Sequence, residues 1–284
     1  MAKLGTLLRD AGQQSAKLPA LVASARKAAA SLHFGAHGLR RPGPGETFWQ
    51  HREHQSDEGL SQVDWRRSAR AERLFVRDRE RETPTQIVLW SDGRAGMEWR
   101  SHHSLPTKAD VALIGTLALG LALRSSGEQI SVLDSVVSDR DDRVAGALIA
   151  QSNFDPRFDT VCANHSLILA SDCLEPIDIW EKRFRSLRNH EMPRALLLVW
   201  DPAEEAFPFQ GRTAFRTKTN PNDIFVIGRA QAVREEYQAL WRNHIGAISA
   251  LARAHRFAVA QACTAAPLDG ALLTLARAIS EGPV

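Results

Sequence analysis

The sequence predicts an α/β protein built on a doubly wound, mostly parallel, Rossmann-like sheet, with an N-terminal helical and irregular β extension. Three observations carry this. Beyond Pro84, short apolar runs alternate with longer stretches of helical periodicity, the pattern of strand–helix crossover units. The strand runs are continuously apolar rather than alternating, as strands buried on both faces of a parallel sheet must be. Four of these runs end in an aspartate, at Asp92, Asp134, Asp172 and Asp201, which places four carboxylates on the edge formed by the strand C-termini.

Taken in order, residues 1–34 carry apolar side chains at helical spacing (Leu4, Leu7 and Leu8, then Leu18, Leu21 and Val22), broken at Pro19. One or two amphipathic helices follow from that spacing. They either pack on the chain's own domain or serve as a docking arm or membrane-surface helix. Gly35 to Pro44 is a turn-rich connector. Residues 46–82 are strongly charged around one strand candidate, Leu74-Phe75-Val76, and read as irregular β structure laid across a core edge. The alternation then begins. Strands are expected at Gln86–Trp90, Gln129–Leu133, Ser166–Ala170, Arg194–Trp200 and Phe257–Ala260. Helices are expected at Lys108–Ser125, Asp141–Gln151, Ile177–His190, Ala230–His255 and Leu268–Ile279. The expected division is therefore 1–34, a helical segment; 35–84, an extension packed on the core; and 85–284, the α/β domain.

Composition narrows the function classes. A length of 284 residues with 44% hydrophobic content is enough for one large domain and a small appendage. The net charge of +3 is too slight for a nucleic-acid footprint. The basic run Arg66, Arg67, Arg70, Arg73 and Arg77 is interleaved with Glu72, Asp78, Glu80 and Glu82, as on a solvated face. Cys162, Cys173 and Cys263 show no CxxC spacing and read as buried thiols of a reducing compartment. Lys3, Arg9, Asp10 and Lys17 interrupt what a signal peptide would keep apolar, so the expected location is the cytoplasm. The longest apolar stretch, Val111 to Leu123, is shorter than the ~20 residues a bilayer requires and is expected to be a buried helix.

The candidate chemistry lies at the strand ends. Clustered there, the aspartates would hold a hard cation; taken singly, an aspartate after a strand caps the next turn. The loop Ser91-Asp92-Gly93-Arg94-Ala95-Gly96-Met97 lacks the glycines and lysine of a phosphate-binding loop. No GxSxG elbow or HExxH helix occurs. His102 and His103 lie in a polar loop with no further ligand at fixed spacing, and are expected at the surface.

One stretch has a recognisable signature. Gly45-Glu46-Thr47-Phe48, Arg52-Glu53-His54 and Val63-Asp64-Trp65-Arg66-Arg67-Ser68-Ala69-Arg70 resemble the bacterial proteins grouped as domain of unknown function 58. Ser171-Asp172, the segment from Leu198 through Gly211, Gly228-Arg229-Ala230, Arg234 and Tyr237 extend the resemblance to its short, soluble branch. The resemblance implies a von Willebrand factor A-like domain whose sheet edge carries a metal-ion-dependent adhesion site, written D-x-S-x-S, with a threonine and an aspartate from later loops. It also implies a protein partner, an AAA-type ATPase of the MoxR class. Aligned on Met97, Asp92-Gly93-Arg94-Ala95-Gly96 stand where that pattern has its aspartate and two serines, and Asp172 stands where the later aspartate falls. Both hydroxyl ligands are therefore missing, and no metal or other cofactor is expected. Either the Arg94 guanidinium fills the place of the metal and pairs with Asp92 and Asp172, or it points to solvent.

Within the signature, Glu46, Phe48, Arg52, Asp64, Trp65, Arg66, Ser68 and Arg70 are the candidate residues. Trp65 is expected to act as an apolar wedge packed on the α/β core, or else as part of a partner-facing surface. The functional expectation is a non-enzymatic adaptor meeting its partner at Asp92, Gly93, Arg94, Gly96 and Asp172. The alternative is a divalent-metal-dependent hydrolase using Asp92 and Asp172.

Overall fold

Five apolar strands form one parallel sheet in the computed structural model of the chain, which describes residues 19–32, 48–53, 63–69, 73–79, 86–135, 140–152, 154–187, 192–216 and 222–281. The chain divides into two compact units, one comprising residues 34–85 and the other everything before and after.

In the smaller unit, β1 (Phe48–Glu53) pairs antiparallel with β2 (Phe75–Arg79), and the single-turn helix α2 (Trp65–Ser68) lies between them in sequence. The larger unit begins with a helix over 19–31, α1, and continues through β3 (Gln86–Ser91), α3 (Lys108–Ser125), β4 (Gln129–Val132), α4 (Asp141–Gln151) and β5 (Ser166–Ser171). It is completed by α5 (Ile177–Ser186), β6 (Arg194–Trp200), α6 (Pro202–Ala206), the antiparallel hairpin of β7 (Thr213–Arg216) and β8 (Ile224–Ile227), α7 (Arg234–Ala254), β9 (Phe257–Cys263) and α8 (Asp269–Glu281).

The sheet order is β4-β3-β5-β6-β9, every pair parallel. The first and third strands of the sheet are therefore neighbours, and the chain winds outward from them in both directions. The gap beyond their C-terminal ends is the topological switch point, where such sheets bind ligands. Strand alternation feeds two cores. Leu89 and Leu197 face α3, which approaches closely because Gly120 and Gly115 stand at the contacts. On the opposite face Val88, Trp90, Leu167, Leu169, Leu196 and Leu198 pack with Trp180 and Phe184 of α5 and Trp241, Ile245 and Ile248 of α7.

The expected α/β class and most element boundaries hold. The Val111–Leu123 stretch lies within α3 and is buried along almost its whole length. Differences fall at ends and in short pieces. The helix expected from Ile177 ends at Ser186, the first turn of the one expected from Ala230 is a 3-10 turn, and β9 runs on to Cys263. Cys173 is buried, but Cys162 is exposed, because it opens the turn closed by His165 N–H on the Cys162 carbonyl. Among the described residues no helix is long and apolar enough to cross a membrane.

Candidate functional site at the switch point

Asp92 follows β3 directly and is buried; its N–H donates to the Ala170 carbonyl of the neighbouring strand β5 (2.8 Å). That anchoring aims the carboxylate into the switch point, where both oxygens are taken. Oδ1 accepts from Arg94 N (3.1 Å) and Arg94 Nε (2.9 Å), and Oδ2 accepts from Arg94 Nη2 (2.7 Å) and Ser171 Oγ (2.7 Å). The guanidinium is thus a bidentate fork on Asp92, the geometry that planar Arg–carboxylate pairing favours.

Arg94 reaches further, to Glu175 Oε2 (2.8 Å, from Nη2) and Asp155 Oδ1 (3.1 Å, from Nη1). A second arginine, Arg183 of α5, donates to both oxygens of Glu175 and to Asp155 Oδ1 (3.0 Å), with its guanidinium over the Trp180 ring. Two arginines and three carboxylates therefore form one network. Burial alone would push the Glu175 carboxyl up, but hydrogen bonds from Arg183 and Arg94 outweigh it and bring it down to about 2. Burial would likewise weaken the Arg94 charge, yet Asp92 and Glu175 hold that guanidinium protonated.

Asp172 is not joined to Arg94 as expected. It accepts from Lys108 Nζ (2.7 Å) and from Leu174 N (3.2 Å). Lys108, the first residue of α3 and only 2% exposed, also donates to Glu204 Oε1 (2.5 Å). Desolvation would lower the Lys108 ammonium, but the two carboxylates outweigh it and hold the pKa above its usual range. Asp201 caps α6, accepting from Ala203 N (3.0 Å), and also receives Ser101 N (2.9 Å) and Thr264 Oγ1 (3.2 Å). Asp134 accepts from Arg157 Nε (3.3 Å). The four strand-end aspartates share an edge, but each has its own cation or backbone donors.

Gly93 and Gly96 differ in kind. A Cβ on Gly93 would stand 2.3 Å from Ser152 Oγ and 2.7 Å from Ser152 Cβ, and the Gly93 N–H bonds the Ser152 carbonyl (3.0 Å), so the loop is sealed against the end of α4. A Cβ on Gly96 would meet nothing within 4 Å.

As a hard-cation site these residues do not fit. A divalent ion needs free carboxylate oxygens; those of Asp92 are bonded to Arg94 and Ser171, and Asp172 serves Lys108. Among the described residues no three His, Cys, Asp or Glu side chains converge to hold a metal. Cys173 beside the site is fully buried, and burial pushes its thiol well above the usual range, away from the nucleophilic thiolate. His102 and His103 are exposed, as expected.

The signature residues of the smaller unit form a locked turn. Asp64 N–H donates to the Phe75 carbonyl (2.7 Å), Ser68 Oγ donates to the Asp64 carbonyl (2.8 Å), and Phe75 N–H donates to Ser68 Oγ (2.9 Å). Ser68 is thereby the pin between α2 and β2. Trp65, the residue expected as a wedge or as part of a partner-facing surface, opens the single turn of α2 that this pin closes. Phe48 and Arg52 lie in β1 and Arg66 in α2, while Glu46 and Arg70 fall outside the described residues.

Sequence reading missed Lys108, Asp155, Glu175, Arg183 and Glu204. One of them left a signal. A lysine in the first helical position, right after the Thr107 cap, opposes the helix dipole and needs a special partner. Neither the curated proteins nor the solved structures compared with the chain contain a match. Residues 50–144, which run from β1 of the smaller unit through β3 and the Asp92 loop into α4, match the model of a family described as protein of unknown function DUF58, and it is this family that the chain resembles over that stretch.

Proposed function

We propose that the chain is a non-enzymatic protein-binding adaptor of the von Willebrand factor A-like kind, and that its switch-point edge, centred on Asp92, Gly93, Arg94 and Gly96, is a degenerate metal-ion-dependent adhesion site that receives a protein partner. The observation that carries the reading is the set of exposed apolar side chains that lie close in sequence to the ion network. Phe154, 65% exposed, adjoins Asp155; Leu174 adjoins Glu175; and Ile177 opens α5, all three turned to solvent. Exposed apolar groups around a pre-ordered charged centre are the make-up of an interface rather than of an ordinary surface. Arg94 supplies from within the chain the positive charge that a metal would bring, so the edge is ordered without an ion. The partner class in this reading is the one the family resemblance implies, an AAA-type ATPase of the MoxR kind.

A divalent-metal hydrolase at the same edge gains no support from the geometry. Asp92 is committed to Arg94 and Asp172 to Lys108, so the two carboxylates do not turn to one shared ion.

The test is titration of the purified chain with a MoxR-type ATPase from the same host, with and without magnesium nucleotide. Phe154→Ala, at a surface position that does not hold the fold, is expected to weaken binding about tenfold, the effect of an interface anchor. Arg94→Glu should abolish it. Wild-type affinity in both variants would refute the placement of the site, and no binding by the folded wild-type chain would refute the partner class.

A further inference from the structure

Between α6, α7 and the β7–β8 hairpin lies a cavity of about 340 Å³, within the size range of small-molecule sites. Its wall is aromatic: Trp99, Phe207, Phe209, Phe215, Phe225 and the chain's only tyrosine, Tyr237. Phe215 and Phe225 stand directly opposite each other across the hairpin, and Phe225 is 68% exposed at the rim.

The loop bearing two of these rings is held under strain. Phe207 ends α6 in the left-handed region (φ 44°, ψ 63°), a conformation that costs a bulky residue energy and that persists only where the surroundings enforce it. The enforcement comes from α7. Arg234 donates to the Phe207 carbonyl (2.9 Å) and the Phe209 carbonyl (3.2 Å), and Gln238 donates to the Ala206 carbonyl (3.0 Å). Among the described residues that line the cavity, Glu204 is the one with a charged side chain.

Charge then selects the occupant. Lys108 is shared between Asp172 and Glu204, so one ammonium serves two carboxylates. Each Glu204 oxygen accepts one bond, Oε1 from Lys108 and Oε2 from Asp201 N (2.9 Å), which leaves further lone pairs. Aromatic faces are also negative. An anion would meet repulsion from both, whereas an ammonium carried on an apolar body would satisfy both.

We propose that this cavity binds a small organic ammonium, a quaternary or alkylated amine with an apolar body, between the rings and Glu204. The site does not depend on the adaptor reading, since it uses neither the Arg94 network nor the apolar residues around it.

The full chain is titrated with choline, with its neutral isostere 3,3-dimethyl-1-butanol and with 3,3-dimethylbutanoate, following ligand-observed NMR, with intrinsic tryptophan fluorescence as a second readout. Choline is expected to bind saturably, the neutral isostere about tenfold more weakly, and the carboxylate not at all. Phe225→Ala should weaken choline about tenfold with unchanged thermal unfolding, because that ring is on the rim. Glu204→Gln should abolish the preference for choline over the isostere. An isostere as tight as choline, a Phe225→Ala variant that binds like wild type, or no saturation by about 10 mM choline would each overturn the proposal. A trimethyl-lysine peptide that binds far more tightly than free choline would overturn the small-molecule assignment.

Discussion

Arg94 and Lys108 solve the same problem at two places on one edge: each neutralises carboxylates that the sheet topology brings together. Their removal should have different consequences. Lys108 is buried, and breaking a buried pair by deleting one partner leaves the other charge uncompensated, so Lys108→Met is expected to cost about 3–5 kcal/mol in urea unfolding. Arg94 sits nearer the solvent and at the place of an implied metal. Arg94→Ser with Gly96→Ser supplies two hydroxyls where the loop has none, with open space for the second, and should create measurable Mn²⁺ binding by calorimetry. A double variant that remains metal-free would mean that Asp92 is not oriented for an ion. The pH response of the network follows from Glu175. Its folded-state carboxyl is depressed from 4.5 to about 2, so its contribution is present above pH 4.5 and is lost as the pH falls towards 2. Glu204 works in the opposite sense: burial, only partly offset by Lys108, raises its carboxyl, so protonation is easier in the folded chain and acid relieves it. Carboxyl chemical-shift titration, which reads each group separately, should show Glu175 titrating far below the usual carboxylate range; a normal midpoint would mean that the arginine contacts are not kept in solution.

The loop after β3 and the end of α4 are one structural joint, and a single methyl group tests it. Gly93→Ala would press its Cβ into Ser152, and overpacking of this kind costs about 1–3 kcal/mol; Ser152→Gly in the same chain should restore most of the loss. The joint illustrates what the sequence tells and what it conceals. Lys108–Ser125, Asp141–Gln151 and Arg194–Trp200 were all readable, because each is a long run whose apolar spacing has one structural solution. So was Asp92 as the centre of an edge, because an apolar run ending in aspartate repeats four times. The β7–β8 hairpin and α6 were not readable. They are only four or five residues long, and no Asn-Gly or Asp-Gly turn marks the hairpin. The partners of Arg94 and Lys108 were hidden for a further reason. Glu175 lies 81 residues from Arg94 and Glu204 lies 96 from Lys108, so only the folded sheet brings them together.

In the larger unit the chain begins its described course with α1, and the placement of that helix decides between a self-contained domain and one that lies on a membrane. Val22, Ala25 and Leu32 are buried, Arg26 donates to Asp141 at the start of α4 (2.6 Å), and Ser31 donates to Asp269 at the start of α8 (3.0 Å). The apolar stripe of α1 is thus turned to the domain, and its polar residues mark where α4 and α8 begin. The exposed ion pair with Arg26 adds little by itself, since a solvated pair is worth about 0–1 kcal/mol; burial of the apolar side chains holds the helix down at about 1.5–3 kcal/mol for each large one. A double substitution, Val22→Asp with Leu32→Asp, separates the two possibilities. If α1 is an integral part of the domain, the variant should lose about 3 kcal/mol or more in urea unfolding, and the wild-type chain should not pellet with anionic lipid vesicles. If α1 is a surface-seeking helix, the wild type should pellet, and the variant should stay in solution with its unfolding midpoint unchanged. The buried positions of Val22 and Leu32 predict the first result, and a wild type that pellets would show that α1 leaves the domain when lipid is present.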